Sequence, residues 1–219
     1  NNDICTSSND TANTKGLSDC GVKVVTEMNR LGMMIDISHA SDQSFYDVIK
    51  LSKAPVIASH SCSRAMCNNP RNLTDDMLRA LAANNGVVQM CILSDYVKKS
   101  PPNPERDSAR QALRKKYNNF QDLKDEQWEA VNAEWHSIDT KYPQVLATVS
   151  DVVDHIDHMV KIAGIDHVGI GTDFDGGGGV ADCKDVSQME NITIELVKRG
   201  YSEKDIKKIW GGKPDAGDA

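Results

Sequence analysis

The sequence has few aromatic residues, no excess of positive charge and no long hydrophobic run. Aromatic residues make up only 5% of its 219 residues, so a core must be built mainly from aliphatic side chains. The formal net charge is −7 at pH 7, which argues against a nucleic-acid-binding protein because such proteins carry basic surfaces. No segment approaches the roughly 20 apolar residues that a membrane-spanning helix needs. With 39% hydrophobic and 26% charged residues, the composition is typical of a globular protein.

The six cysteines follow no recognised metal-binding or disulfide pattern. They are scattered along the chain and form no Cys-x-x-Cys pair. Cys62 and Cys67 are the closest two, and their spacing is too wide for a zinc knuckle. The sequence therefore predicts free or buried thiols.

Short apolar runs alternate with amphipathic segments along most of the chain. Strands are predicted near residues 33–38, 55–59, 86–92 and 167–172. Because single helices separate most of these runs, the pattern indicates parallel β/α units and an α/β fold. Residues 98–148 interrupt the alternation with three prolines followed by charged helical stretches. We interpret this segment as a helical insertion after the third predicted strand.

Three of the predicted strands end in side chains suited to chemistry, namely His39, His60 and Asp173. The carboxyl ends of parallel strands meet at one face, which is where β/α proteins place their active sites. The two histidines are one β/α unit apart, so their imidazoles could share a metal ion. A carboxylate beside such a site could act as general base and acid. The alternative is that both histidines are buried, hydrogen-bonded residues at strand ends and that Asp173 caps a loop.

Arg71, His155 and His158 are further candidates for a role at this face. Arg71 follows the second predicted strand, where its guanidinium could bind a substrate carboxylate. From its spacing alone, a solvent-facing loop arginine is the simpler interpretation. His155 and His158 lie three apart on an amphipathic helix and could in principle hold a metal. Since that helix should pack outside the sheet, a structural role is predicted for both.

These segments resemble the membrane (renal-type) dipeptidase family, zinc peptidases with an amidohydrolase-like TIM barrel. The resemblance runs from about Gly16 to Trp210. Its most specific motifs are Ile-Asp-Ile-Ser-His at 35–39, Ala-Pro-Val-Ile-Ala-Ser-His-Ser at 54–61, Arg-Asn-Leu at 71–73 and Gly-Ile-Gly-Thr-Asp-Phe-Asp-Gly at 169–176.

The resemblance implies the C-terminal half of a (β/α)8 barrel, about strands five to eight, with residues 1–219 forming a partial catalytic domain. It implies zinc-dependent hydrolysis of dipeptides by two zinc ions in the complete enzyme. His39 and His60 would hold the second zinc and Asp173 would be the catalytic carboxylate. Arg71 would bind the carboxylate of the dipeptide, and Tyr96 would line the pocket.

Parts of the family pattern have no counterpart in this sequence. The first-strand His-x-Asp and the glutamate that bridges the two zinc ions are missing, so we expect a truncated or partial sequence. At most one partial zinc site and no activity are then expected of the chain alone. Another metal-dependent amidohydrolase, such as a deaminase or lactonase, and an inactive fragment that folds only by association remain alternatives. The sequence is compatible with a homo-oligomer and does not indicate a compartment.

Overall fold

A small parallel sheet carries His60 and ends beside Asp173. The computed structural model describes residues 2–10 and 15–211, in which the sheet comprises β1 (Ile57–Ser61), β2 (Val87–Cys91) and β3 (Val168–Thr172). The strands lie in the order β1-β2-β3 and all pairs are parallel. The predicted α/β fold with a parallel sheet is therefore confirmed.

The prediction of a strand near residues 33–38 is wrong, because the structure forms no regular strand there. Only a parallel bridge between Asp36 and Ile57 forms there. Two backbone hydrogen bonds support it, from the Ile37 amide to the Ile57 carbonyl (2.8 Å) and from the Ile57 amide to the Ile35 carbonyl (2.9 Å). The ladder stops there because the Ser59 amide, two residues after Ile57 in β1, donates to the Asp36 carboxylate at 3.1 Å. It therefore does not continue the backbone pairing with the segment before His39.

Helices connect and flank the strands. They are α1 (Asp19–Leu31), α2 (Asp42–Leu51), α3 (Asp75–Ala83), α4 (Ser94–Val97), α7 (Val149–Ala163), α8 (Glu190–Lys198) and α9 (Glu203–Ile209). Ser18, Ser41 and Thr74 cap α1, α2 and α3, each accepting a hydrogen bond from a backbone amide in the first turn. Such caps satisfy amides that have no partner inside the helix, which is why these helices begin where they do.

The core is aliphatic, as the low aromatic content predicts. Helix α7 packs against α3, α8 and the sheet. Its buried stripe includes Val152, Val153, Ile156 and Met159, each with 0% of its surface exposed. Phe45 of α2 is the one fully buried aromatic side chain among the described residues. Burial of this stripe fixes α7 against the outer surface of the sheet.

Residues 100–146 form a separate compact unit, and the described residues before 100 and after 146 form the other. The smaller unit contains α5 (Pro104–Lys116), a short 3₁₀ turn (Asn118–Phe120) and α6 (Asp125–Lys141). Leu113 and Val131 are its buried aliphatic side chains. The Arg110 guanidinium lies over the Trp135 ring, 4.5 Å from its centroid. The interpretation of residues 98–148 as an insertion into a catalytic domain stays a prediction.

Within residues 2–10 and 15–211, no helix is both long and apolar enough to cross a membrane. The six cysteines, all inside these ranges, are free thiols, as the sequence predicts.

Candidate active site

The structure brings His39 and His60 into direct contact. Their Nε2 atoms lie 3.0 Å apart, and their ring centroids are separated by 5.0 Å. His60 is the fourth residue of β1, whereas His39 follows the bridge segment in the left-handed region, with φ 69°. A non-glycine residue in that region is uncommon and is a recurrent feature of functional sites.

Backbone contacts hold both histidines in place. The Ser38 hydroxyl accepts a hydrogen bond from the His60 amide at 3.1 Å. The His39 carbonyl accepts one from the Ser8 amide at 2.8 Å. The first contact joins residues 35–39 to β1, and the second joins them to the segment that contains Ser8.

The donor set at this pair fits part of a metal site. Two ring nitrogens 3.0 Å apart need a proton or a cation between them, because two lone pairs at that distance repel. Imidazole nitrogen is a preferred zinc ligand, so His39 and His60 could hold a zinc ion through these two atoms. In the part of the chain that the structure describes, no group of three or more His, Cys, Asp or Glu side chains could hold a metal. The pair therefore supplies two ligands and not a complete set.

Electrostatics favour the neutral form of His39 that metal binding requires. Partial desolvation by neighbouring atoms, the positive charge of Arg71 and the adjacent His60 imidazole lower the pKa of His39, while the carboxylates of Asp173 and Asp36 oppose this shift. Asp173 is thus near enough to His39 to act on it electrostatically.

Asp173 lies in a tightly wound loop at the end of β3. Thr172 and Asp173 both adopt positive φ angles, 39° and 72°. The Gly178 amide donates to the Asp173 carbonyl at 2.6 Å. A Cβ at Gly176 would stand 2.2 Å from Asp173 Oδ1, so a larger residue there would displace the Asp173 carboxylate. Beyond it, Cys91 Sγ lies 3.9 Å from Asp173 Oδ2.

Arg71 is buried, with 3% of its surface exposed, so its interpretation as a solvent-facing loop residue is wrong. Its guanidinium donates to the His60 carbonyl (2.9 Å) and to the Ser61 hydroxyl (3.2 Å). It also lies 5.6 Å from the centroid of the Tyr96 ring. Its Nε–H is buried and has no hydrogen-bond partner among the described residues. Arg71 therefore lies between the end of β1 and Tyr96, and its guanidinium retains unused donors.

His155 and His158 have structural contacts, as predicted. His155 is 1% exposed and accepts a hydrogen bond from the Ser63 amide through Nδ1 at 3.1 Å. Its Nε2 lies 2.8 Å from the Val97 carbonyl and must therefore be the protonated ring nitrogen. His158 pairs with Asp75 at 2.7 Å. Neither ring joins the site at the strand ends.

The sequence of the chain matches one known protein family over nearly its whole length. The model of the membrane dipeptidase family (peptidase family M19) matches residues 2–213. The chain belongs to this family. The resemblance recognised in the sequence motifs is thereby confirmed.

Curated dipeptidases match most of the chain. An uncharacterized dipeptidase of Schizosaccharomyces pombe is 34% identical over 186 residues, which cover 84% of this chain and 35% of that protein. Dipeptidase 3 of Macaca fascicularis is 34% identical over 201 residues, covering 91% of this chain and 32% of that protein. The chain thus spans about a third of the length of these dipeptidases.

Solved structures extend the similarity to three dimensions. The probable dipeptidase PvdM from Pseudomonas aeruginosa superposes with a TM-score of 0.75 at 33% identity, over 96% of this chain and 57% of that one. A metallopeptidase from Rhodobacter sphaeroides, liganded with a phosphinate mimic of the dipeptide L-Ala-D-Ala, gives a TM-score of 0.67 at 26% identity. The second match covers 89% of this chain and 44% of that structure.

Two further residues of the candidate site, Asp36 and Ser59, were not predicted from the sequence. Asp36 accepts a short hydrogen bond from the Ser59 hydroxyl, and Ser59 Oγ lies 2.8 Å from His60 Nδ1. The signal available in the sequence was a carboxylate placed inside the apolar run before His39. Such a residue is costly there unless it has polar partners.

Proposed function

We propose that this chain carries part of the active site of a zinc-dependent dipeptidase. The observation that supports this most strongly is the 3.0 Å separation of the His39 and His60 Nε2 atoms. Asp173 acts electrostatically on His39, and Arg71 donates to the His60 carbonyl. A metal-binding pair, a carboxylate and a cation at one end of a parallel sheet are what hydrolysis of a short, charged peptide needs.

We further propose that the chain corresponds to about half of a (β/α)8 barrel, with a helical insertion at residues 98–148. Three sequential parallel strands and the bridge at Asp36 support this interpretation. A complete barrel has eight strands in about 250 residues. The match to 57% of the PvdM structure is consistent with a partial barrel.

His39 and His60 would hold one metal ion through their Nε2 atoms, as a partial site. When bound, zinc would supply Lewis-acid polarisation of the peptide carbonyl and a lower pKa for an attacking water. The family is a metallopeptidase family, and imidazole nitrogen is a preferred zinc ligand. Two zinc ions would act in an enzyme that has the complete ligand set.

Asp173 would move the proton. Its carboxylate would accept a proton from the attacking water and then donate it to the nitrogen of the leaving amine. Its position would be maintained by the Gly178 amide and by the close approach of Gly176. Fixing a base in this way reduces the reorganisation needed during the reaction.

Arg71 would bind the C-terminal carboxylate of the dipeptide, with Tyr96 lining that side of the pocket. Two of its N–H groups hold the guanidinium to the His60 carbonyl and to Ser61, and others remain available for the substrate. Because Arg71 is hydrogen-bonded to the His60 carbonyl, the residue that binds the substrate carboxylate and a residue that binds the metal would meet at the end of β1. This arrangement favours a dipeptide over the substrates of a deaminase or lactonase, which do not require a carboxylate.

A binding experiment separates these reactions. The zinc-loaded chain is titrated with a dipeptide and, separately, with the C-terminal amide of the same dipeptide, and binding is followed by NMR. We expect the free carboxylate to bind more tightly, and Arg71→Lys to reduce this preference because lysine lacks the bidentate fork. Equal binding of the two ligands would contradict the assignment of Arg71 and favour another amidohydrolase reaction.

A further inference from the structure

We infer that Asp36 and Ser59 form a hydrogen-bond relay that fixes the tautomer of His60 and leaves its Nε2 lone pair free. Asp36 and Ser59 are thus positioning residues that act through His60. The relay itself needs no metal, whereas its consequence for zinc affinity rests on the proposed function.

The relay begins at the Asp36 carboxylate, whose two oxygens have different partners. Oδ1 accepts hydrogen bonds from the amides of Ser38 (2.9 Å) and Ser59 (3.1 Å). Oδ2 accepts a short hydrogen bond from the Ser59 hydroxyl. Although Asp36 remains solvent-exposed, neighbouring atoms partly desolvate its carboxyl. The Ser59 and Ser38 hydrogen bonds outweigh this and lower its pKa, so the group is an ionised acceptor.

The Ser59 hydroxyl has one proton, and the contact with Asp36 uses it. A hydroxyl oxygen can then only accept from its other neighbours. Ser59 Oγ lies 2.8 Å from His60 Nδ1, so this nitrogen must be the donor. His60 is therefore protonated at Nδ1, and its Nε2 presents a lone pair.

That lone pair points at His39, whose Nε2 lies 3.0 Å away. In the metal-free protein, a proton on His39 Nε2 completes the contact. For His39 Nε2 to bind a metal ion, that proton would have to move to His39 Nδ1, whereas His60 Nε2 would need no change. Partners of this kind, which fix the ring orientation and tautomer of a ligating histidine, are a general feature of metal sites.

Ser38 stabilises the backbone beside the relay without completing it. Its Oγ accepts from the His60 amide at 3.1 Å and lies 3.4 Å from Ser59 Oγ. Neither contact reaches the His60 ring. The tautomer is thus set by Ser59 and Asp36.

Asp36→Asn tests the relay because the backbone dictates how the new amide is oriented. The two amides at the Oδ1 position require an oxygen there, which places the side-chain NH₂ against Ser59 Oγ. Ser59 would then accept from Asn and donate its own proton to His60 Nδ1. We predict that this reverses the relay and moves the His60 proton from Nδ1 to Nε2.

The measurement is ¹⁵N NMR of the metal-free, full 219-residue chain with labelled histidine, at a pH where the imidazole is neutral. We expect a protonated-type shift for Nδ1 and an unprotonated-type shift for Nε2 of His60, with the two exchanged in Asp36→Asn. Asp76→Asn is the matched control, since Asp76 pairs with Arg79 on the surface, where its side chain is 81% exposed. A purely structural role for Asp36 would leave the His60 tautomer unchanged.

Zinc affinity provides the second readout. We expect Asp36→Asn to weaken zinc binding by about 10- to 100-fold, the usual effect of losing such a partner. Ser59→Ala interrupts the relay by a smaller change, and we expect a mixture of both tautomers and an intermediate loss. It serves as the second variant if Asp36→Asn does not fold.

The outcomes distinguish the relay from the proposed function. Protonated Nε2 in the wild-type chain, or no change of tautomer in both variants, would overturn the relay. If the tautomers behave as expected but the wild-type chain binds no zinc, the relay stands and the proposed metal site is contradicted.

Discussion

Gly171 approaches Ser59 so closely that a Cβ at residue 171 would stand 1.9 Å from the Ser59 carbonyl oxygen. These residues belong to β3 and β1, which are separated by β2 in the sheet. The end of the sheet is therefore strongly curved at this point. The curvature brings the strand that precedes Asp173 towards the strand that carries His60.

Gly171→Ala should disturb this approach. The new methyl group forces β1 and β3 apart, and we expect a loss of about 1–3 kcal/mol in the free energy of unfolding, as for other overpacked cores. Denaturant unfolding measures this loss. Because Ser59 precedes His60, zinc affinity should fall as well.

Gly169→Ala is the matched control in the same strand. Its Cβ would meet Gln89 Cγ at 3.4 Å, which is an ordinary contact, so a smaller change in stability is expected. Equal effects of the two substitutions would contradict the role assigned to the approach of Gly171 to Ser59.

His155 should make the stability of the chain depend on pH. Burial lowers the pKa of His155 below its ordinary value of about 6.5, although the Val97 carbonyl opposes the shift. Below about pH 6.5 the unfolded state then binds more protons than the native state, so the free energy of unfolding falls as the pH falls. Above that pH the contribution is fully present. Unfolding measured between about pH 5 and 8 should show this slope.

His155→Gln removes the titrating group. The free energy of unfolding should then depend less on pH below about pH 6.5, although the variant should be less stable overall. The exposed His136 offers a comparison, since His136→Gln should leave the slope intact. An unchanged slope in His155→Gln would show that another group carries the pH dependence.

The purified chain should not hydrolyse dipeptides. In the described residues the candidate site offers two imidazoles and the nearby carboxylates of Asp173 and Asp36, with no group of three or more side chains that could hold a metal ion. An incomplete ligand set should bind zinc weakly and position water poorly. The check is a dipeptide hydrolysis assay with added zinc. Turnover that a chelator abolishes, and that Asp173→Asn also abolishes, would contradict this expectation.

The sequence predicts which residues follow the strands at one face of the sheet, but not the contacts that they make. His39, His60 and Asp173 were found because the carboxyl ends of parallel strands share one face, and this depends only on the order of strands and helices. The burial of Arg71 depends on the path of the loop after β1, which its spacing does not reveal. The Asp36 relay depends on side-chain directions, and the same carboxylate ended the strand predicted near residues 33–38.

The central claim is that His39 and His60 bind one metal ion together, and zinc titration of the full chain tests it most directly. Competition with a chromophoric chelator should give one zinc per chain in the wild type. His39→Ala and His60→Ala should each weaken zinc binding by at least about 100-fold. This exceeds the effect of removing a residue that only hydrogen-bonds to a metal ligand. His136→Ala should bind as the wild type does. Zinc bound with unchanged affinity by the variant lacking both His39 and His60 would contradict the account.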